Sequence, residues 1–313
     1  TGCSSPTPTG PVTIKVGLGY IPSIQFAQFY LALQRGYYRD AGLDVTLQNG
    51  DDAQILTLLG QGALDIGLSD GTSIIPAVSR DIPVKYVATI YAKFPSVVFS
   101  KVSSGIATPA DLDGRSLGIP AKSGSSWIML QALLASAGLT PDDLAITVYP
   151  DYGQRVAVQQ DQVDSATGFV NNEPVQMRLA GEDVTVLTVD DITPLPGPGM
   201  VVGTATLGTK GVALKAFVAA TLRAMAEIKA DPQDGYAAAL AYVPELADDP
   251  TTALAVLEAT AAQWSSAYTD ANGLGSINQA AWDASVGFMS GLPDTVVAKP
   301  VTFDQLATQE LLP

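Results

Sequence analysis

Residues 12–34, VTIKVGLGYIPSIQFAQFYLALQ, change from the pattern of a strand to the pattern of a helix across one short connection. Apolar and polar residues alternate in Val12–Leu18, which is typical of a β-strand. Over residues 23–34 apolar side chains occupy nearly every face of a helix, with Ser23 as its N-cap and Gly36 as its stop. This pattern predicts a strand followed by a largely buried helix, the repeating unit of α/β proteins.

The same alternation continues along the chain in two sets. The first set has predicted strands over 43–47, 65–68 and 84–90, with helices over 53–59 and 72–79. The second has predicted strands over 115–119, 146–149 and 165–169, with helices over 127–137 and 155–162. Short strands that alternate with helices predict parallel sheets covered by helices. In such sheets the carboxyl ends of the strands share one edge, where ligands bind.

The alternation of predicted strands and helices ends after residue 190. There the irregular stretch PLPGPG (194–199) precedes an apolar strand at 200–202 and a helical tail beyond residue 210. The helices of this tail bury their apolar side chains only if they pack against a sheet. We therefore interpret the chain as two α/β lobes that it crosses twice, one formed by residues 11–97 plus 199–313 and the other by residues 98–198. Two crossings predict a hinge and a ligand cleft that closes between the lobes.

Composition excludes several classes of function. The chain has 313 residues, which suggests about two domains, and 16 Lys and Arg against 31 Asp and Glu give a net charge of −15. Such a charge disfavours nucleic acids and anionic bilayers as partners. The chain has no His and a single Cys, which excludes His-based triads, His-ligated zinc and an internal disulfide. We expect no cofactor, no metal and no membrane-spanning segment.

The first ten residues indicate a tether. Thr1-Gly2-Cys3 resembles the end of a bacterial lipoprotein signal, and a spacer rich in Pro, Thr and Ser follows it. The alternative is a free cysteine on a disordered tail. We expect Cys3 to carry a lipid, residues 1–10 to act as a lipoprotein tether, and the protein to contact a membrane only through that anchor.

Aromatic and polar side chains gather in the loops that follow the predicted strands, and together they suit a flat ring with hydrogen-bonding edges. Tyr20 is expected to supply the aromatic face, and Asn172 and Glu173 to meet the edge from the opposite lobe. The predicted ligand contacts are Tyr20, Gln25, Asp70, Tyr91, Phe94, Ser123, Ser125, Ser126, Tyr152, Asn172 and Glu173.

Most of these contacts have a structural alternative. Tyr20 also suits a half-buried position at the end of a strand. An Asp in the position of Asp70 more commonly caps the helix that follows it, Asn172 is also suited to capping, and the helix dipole alone favours Glu173 in a first turn. Tyr91 and Phe94 lie where the chain passes from the first predicted lobe to the second, so either ring is also suited to packing in the hinge. The serine loop at 123–126 is also compatible with a capped helix and no ligand.

Several of these segments resemble one family. They are GYIPSIQFA (19–27), GYY (36–38), AGLDV (41–45), DIG (65–67), GRSLGIP (114–120) and FVNNEPVQ (169–176). Over residues 12–230 the chain is similar to the thiamine-pyrimidine and riboflavin (NMT1/THI5-like) branch of solute-binding proteins that serve bacterial ABC importers. It looks most like the riboflavin-binding members.

The resemblance implies a periplasmic-binding-protein type II fold and a monomeric, lipid-anchored extracytoplasmic protein that is not an enzyme. Such a protein captures riboflavin or a thiamine pyrimidine precursor by lobe closure and delivers it to the importer's membrane permease. One alternative is a sulfonate, nitrate or related anion as ligand on the same fold. Another is an enzyme of pyrimidine biosynthesis, which is disfavoured because this chain lacks the active-site histidine and the cysteine-rich motif of the related synthase.

Overall fold

The computed structural model describes residues 10–190, 192–292 and 296–313. The predicted lipid attachment at Cys3 and residues 1–9 of the predicted tether lie outside these ranges. Within them, ten strands form two five-stranded sheets. The strands are β1 (Val12–Leu18), β2 (Leu43–Asn49), β3 (Ile66–Ser69), β4 (Val84–Thr89), β5 (Ser96–Lys101), β6 (Ser116–Ile119), β7 (Ala145–Val148), β8 (Ser165–Phe169), β9 (Val184–Leu187) and β10 (Gly199–Gly203).

Helices cover both sheets. They are α1 (Ala27–Gln34), α2 (Tyr37–Asp40), α3 (Asp52–Gly60), α4 (Gly71–Ser79), α5 (Gly124–Ser136), α6 (Gln154–Gln159), α7 (Glu173–Leu179), α8 (Thr204–Ala230), α9 (Pro232–Leu240), α10 (Pro250–Gln263), α11 (Ala267–Asn272), α12 (Gln279–Ser290) and α13 (Phe303–Leu306). No helix in the described ranges combines the length and the apolar content that crossing a bilayer requires.

The two sheets follow the same plan. The strand order is β2-β1-β3-β10-β4 in the first sheet and β7-β6-β8-β5-β9 in the second. β1 runs parallel to β2 and β3, and β6 runs parallel to β7 and β8. The chain therefore places the loops after β1, β2 and β3 along one edge, and those after β6 and β8 along the facing edge.

The expectation of parallel sheets is wrong for one strand in each sheet. β10 runs antiparallel to β3 and β4, and β5 runs antiparallel to β8 and β9. Each of these strands directly follows a crossing from one sheet to the other, so it enters its sheet from the opposite end. β5 and β9 are short strands that the sequence analysis did not predict.

The crossings lie close to the predicted lobe boundaries. The boundary at 97/98 falls inside β5, which belongs wholly to the second sheet, and the boundary at 198/199 coincides with the start of β10. That the two sets of residues move as separate lobes stays a prediction.

The first helix region begins as the sequence predicts. Ser23 accepts a hydrogen bond from the Gln25 N–H and caps a 3₁₀ turn at Ile24–Phe26, which leads directly into α1. The residues from Ala27 to Ala32 are buried, because α1 packs against the C-terminal helices α8 and α9. The ring of Phe217 from α8 stacks on Tyr38 at 4.7 Å, and the Tyr38 hydroxyl hydrogen-bonds to Thr221 at 2.7 Å. The helical tail therefore completes the core of the first sheet.

Candidate functional site

A cavity of about 780 Å³ lies between the facing sheet edges. Its volume falls within the roughly 300–1,000 Å³ typical of small-molecule sites. All of the predicted ligand contacts line it except Phe94: Tyr20, Gln25, Asp70, Tyr91, Ser123, Ser125, Ser126, Tyr152, Asn172 and Glu173. The strand-end loops of both sheets therefore converge on one space.

Phe94 lies in the hydrophobic core and not on the cavity wall, which agrees with the alternative of hinge packing and not with the predicted ligand contact. Its side chain is 3 % exposed and packs in a cluster that includes Val98 and Leu195. Its backbone N–H donates to the Asp190 carboxylate at 3.2 Å. The aromatic ring is therefore part of the packing where the chain passes between the sheets.

Two tyrosines meet across the cavity. Tyr20 follows β1, Tyr152 follows β7, and their rings meet edge to face with centroids 5.0 Å apart. Tyr152 adopts a left-handed backbone conformation with φ of 60°, which is uncommon for a non-glycine residue. Such a conformation costs on the order of 1–3 kcal/mol and persists where the surrounding structure holds it. Here it directs an aromatic side chain from the second sheet toward the first.

The other aromatic pair lies deeper. Tyr91 is 3 % exposed, and its ring centroid lies 6.2 Å from that of Phe169 at the end of β8. Loss of solvation on burial raises the pKa of the Tyr91 hydroxyl, although hydrogen bonds with Asn171 and Thr260 oppose that rise. Tyr91 therefore lines the cavity with its ring while its hydroxyl is held by polar neighbours.

Gln25, Asn171 and Thr260 form a buried polar junction between the two sheets. The Asn171 Nδ2 group donates to Gln25 Oε1 at 2.8 Å and to Thr260 Oγ1 at 2.9 Å. Asn171 is fully buried and Gln25 is 6 % exposed. Because Gln25 and Thr260 belong to the first set of elements and Asn171 to the second, this polar junction joins the two halves of the protein directly.

Asn172 and Glu173 open α7 on the cavity wall. Glu173 Oε2 accepts the Phe169 N–H at 2.8 Å, and burial raises the pKa of the Glu173 carboxyl. The Asn172 side chain makes no capping bond: its Oδ1 accepts from Gln176 Nε2 at 2.7 Å, and it also hydrogen-bonds to Tyr20. These two residues therefore face Tyr20 from the opposite sheet, as the sequence analysis expected.

Asp70 reaches across the cleft to the serine loop. Although it occupies the N-cap position of α4, its side chain makes no capping bond there. The hydroxyl and the backbone N–H of Ser125 donate instead to its carboxylate. Ser123 is exposed at the start of α5, and the Ser126 hydroxyl lies 3.2 Å from that of Ser96.

Sequence reasoning missed several cavity residues, namely Asp51, Asp52, Thr72, Gln154 and Phe169. Asp51 and Asp52 follow β2, so the rule that ligands meet strand ends applies to them as well. Gln154 lies in the first turn of α6, where no pattern in the sequence separates it from an ordinary helix residue.

Comparison with known proteins gives a family. Residues 23–235 match the family model described as NMT1/THI5 like. A riboflavin-binding protein of Chloroflexus aurantiacus is 30 % identical, and the match covers 100 % of this chain and 94 % of that protein. A 4-amino-5-hydroxymethyl-2-methylpyrimidine phosphate synthase of Legionella pneumophila is 25 % identical over 69 % of each chain.

Among solved structures, the alkanesulfonate-binding protein of Xanthomonas axonopodis pv. citri superposes with a TM-score of 0.72. It is 17 % identical, and the superposition covers 97 % of this chain and 99 % of that one. This likeness concerns the two-sheet architecture with a cleft between the sheets, which is the periplasmic-binding-protein fold. With that fold and a family match over residues 23–235, the chain belongs to the NMT1/THI5-like family.

Proposed function

We propose that this protein is an extracytoplasmic solute-binding protein of an ABC importer, not an enzyme, and that it binds a small aromatic heterocycle. Riboflavin is the first candidate and a thiamine pyrimidine precursor the second. The observation that carries the proposal is the cavity between the sheets, which both halves line with aromatic rings and hydrogen-bonding groups. The 30 % identity to a riboflavin-binding protein supports it over the full chain.

The cavity offers what a flat ring needs. Tyr20, Tyr152 and Phe169 provide aromatic surface for stacking, and Asn172 and Glu173 provide polar groups for the ring edge. Unpaired ring N–H and C=O groups are costly to bury, so fixed partners at the edge contribute to affinity. A ligand that contacts Tyr20 on one side and Glu173 on the other stabilises the closed arrangement of the two lobes.

A binding role is favoured over catalysis. The relatives include a 4-amino-5-hydroxymethyl-2-methylpyrimidine phosphate synthase. The family resemblance implies that the related synthase relies on an active-site histidine. This chain contains no histidine, and its single cysteine at position 3 is remote in sequence from every residue of the cavity wall.

An anionic ligand is disfavoured by the charges on the cavity wall. The carboxylates of Asp51, Asp52, Asp70 and Glu173 line the cavity, against the cationic side chains of Arg80 and Lys122. The Arg80 guanidinium donates to the backbone carbonyls of Pro76 and Val296. A sulfonate or nitrate placed in this cavity meets an excess of negative charge.

Closure and anchoring belong to the same proposal. We propose that residues 11–97 with 199–313 and residues 98–198 move as two lobes, and that a monomer is tethered through a lipid on Cys3. Small-angle scattering with saturating ligand then gives a smaller radius of gyration. Cys3→Ser in the full-length precursor releases the protein from the membrane fraction with unchanged affinity. An unchanged radius refutes the closure, and continued membrane association refutes the anchor.

The experiment that tests the ligand has two steps. Protein purified from its native host is denatured, and the released small molecules are identified by mass spectrometry. The protein without ligand is then titrated with riboflavin, and quenching of flavin fluorescence is followed. We expect a flavin in the released fraction and saturable quenching at one site per chain. Release of an aliphatic sulfonate, with no flavin quenching, would overturn the proposal.

A further inference from the structure

Two carboxylates lie side by side at the edge of the first sheet. Asp52 follows β2, Asp70 follows β3, and β1 lies between those strands. Asp52 Oδ1 accepts the Asp70 N–H at 3.1 Å and also the hydroxyl of Ser69. A Cβ atom on Gly19, which follows β1, would lie only 3.1 Å from Asp52 Oδ1. A glycine at this position therefore lets Asp52 reach past β1 toward Asp70.

The immediate surroundings of this pair offer hydrogen-bond donors. Ser125 donates to Asp70 from the opposite sheet, and Ser69 and Ser73 donate to Asp52. None of the ion pairs within the described ranges includes Asp52 or Asp70. Loss of solvation on burial raises the pKa of both carboxyls. The pKa of Asp70 rises to about 7, because the negative charge of Asp52 adds to the effect of burial. The closed cleft therefore favours one proton shared by the pair.

A separate observation points to a ligand at this place. Thr72 lies two residues after Asp70 on α4, lines the same cavity and is 1 % exposed. Its hydroxyl has no hydrogen-bond partner within the described ranges. A buried hydroxyl without a partner is unfavourable by about 1–3 kcal/mol, and a polar group of a bound molecule would remove that penalty.

We propose that Asp52, Asp70 and Thr72 form an acceptor subsite, which binds hydroxyl or amino donors on a substituent of an uncharged or cationic ligand and excludes anionic ligands. The inference rests on the proposed function, since the ring of the ligand is taken to lie against Tyr20. Carboxylates in an enclosed cavity interact strongly with donors and repel a second negative charge, because little water screens them there.

Riboflavin and riboflavin 5′-phosphate form a matched pair of probes, since they share the ring and the hydroxylated chain and differ by one phosphate. We expect the wild-type protein to bind riboflavin at least about tenfold more tightly than its phosphate. At pH 8, above the pKa of about 7 of Asp70, the substitution Asp70→Asn keeps a hydrogen-bonding side chain of similar size but removes one negative charge, so the ratio falls to about threefold or less. Asp283→Asn, at an exposed position on α12, serves as the control that leaves the ratio unchanged. Equal affinities for the two probes, or an unchanged ratio in Asp70→Asn, overturn the proposal.

A measurement without any ligand tests the shared proton. Asp70 is faced by Asp51, Asp52, Tyr86, Tyr91 and Tyr152, and the cavity also holds Arg80 and Lys122. Because the pKa of Asp70 is raised on folding, its stabilising contribution is present below pH 4 and is lost as the pH rises toward 7. The pKa values of the three tyrosines are raised by burial, so their hydroxyls stay protonated over that range.

The Tm of the wild type, relative to that of Asp70→Asn, is therefore expected to fall by about 3 °C or more between pH 5 and pH 8. A Tm difference between the two proteins that does not change with pH overturns the claim that Asp52 and Asp70 share a proton. If neither flavin binds but the Tm difference between the wild type and Asp70→Asn does change with pH, the proposed function fails and the shared proton of Asp52 and Asp70 is supported.

Discussion

The two halves of the protein meet at two places that are equally buried but differently paired. At the polar junction of Gln25, Asn171 and Thr260, both N–H groups of the fully buried Asn171 amide donate to partners in the other half, although its Oδ1 atom lacks a partner within the described ranges. At the cavity, Thr72 and Gln154 are each 1 % exposed, yet the Thr72 hydroxyl and Gln154 Oε1 lack partners within the described ranges. Burial alone does not separate these two regions.

The difference lies in what completes each set of hydrogen bonds. A donor paired inside the protein contributes to stability whether or not a ligand is present. An unpaired polar group that faces a cavity lowers stability until another molecule pairs with it. The comparison therefore assigns the polar junction to holding the halves together and the cavity wall to binding, and substitutions in each region test that division.

The largest effect is expected at the polar junction. Asn171→Ala removes both donated bonds and leaves Gln25 and Thr260 with buried acceptors that have lost their donor. We expect the free energy of unfolding, measured by chemical denaturation, to fall by about 3 kcal/mol. Asn272→Ala, at an exposed position, is the matched control and is expected to change it by less than about 0.5 kcal/mol. Equal effects of the two substitutions would show that the junction does not hold the halves together.

The next effect concerns the aromatic face. Tyr20→Ala removes the ring that meets Tyr152 at 5.0 Å, and a stacked ring contributes roughly 1–3 kcal/mol to the binding of a flat base. We expect the affinity for riboflavin to fall by about 30-fold, measured by fluorescence quenching, with little change in unfolding. Tyr20→Phe is expected to retain most of the affinity. Tyr242→Ala, on the ring that stacks on Tyr30 outside the cavity, leaves the affinity unchanged. If Tyr20→Ala binds as tightly as the wild type, the ring does not lie on Tyr20.

A smaller effect is expected at the ring edge. Glu173→Gln keeps an acceptor for the Phe169 N–H but replaces the second carboxylate oxygen with an amide donor. A ligand donor that faces Glu173 then loses its acceptor, and calorimetric titration with riboflavin should show a loss of about 1 kcal/mol, or roughly fivefold. The alternative, in which Glu173 only favours the start of α7, predicts unchanged affinity and a lower Tm.

The smallest effect has the opposite sign. Thr72→Val replaces a buried hydroxyl that lacks a partner with a methyl group, so we expect the free energy of unfolding to rise by about 0.5 kcal/mol. Thr260→Val is the matched substitution at the polar junction, where the hydroxyl donates to the Val256 carbonyl at 2.7 Å and accepts from Asn171. That variant is expected to lose about 1 kcal/mol. A loss of stability in Thr72→Val as large as in Thr260→Val would remove the distinction between the two regions.

Local pattern was sufficient for many elements. The limits of β1 and β8 agree with the predicted strands to the residue, because period-2 alternation or a short apolar run ends there at a turn. Pattern was insufficient for β5 and β9, which are short runs beside a crossing and resemble connecting segments. It also gave the wrong direction for β10, since the direction of a strand depends on where the chain enters the sheet.

The residues of the candidate site also fall into two groups, those that local pattern predicted and those that it did not. The sequence placed Tyr20, Asn172 and Glu173 in loops after strands, and parallel strand ends bring such loops together. It offered two roles for Phe94, and only the packing around β5 assigned this ring to the core. Gln154 and Thr72 were missed because a polar residue in a helix has no local signal that reveals whether its partner is protein, water or ligand.

The sequence by itself determined which residues the strand-end loops contain and how strands and helices alternate. It also determined the net charge and the absence of histidine, which exclude several classes of partner and of catalytic site. Each of these depends on residues close together in the chain, or on their total number. Only the tertiary structure decided which side chains meet. Asp52 lies beside Asp70 because β1 separates their strands and Gly19 leaves room, and Ser125 reaches Asp70 because two sheets face each other. Such contacts join residues far apart in sequence, so the geometry of the folded chain sets them and no local pattern records them.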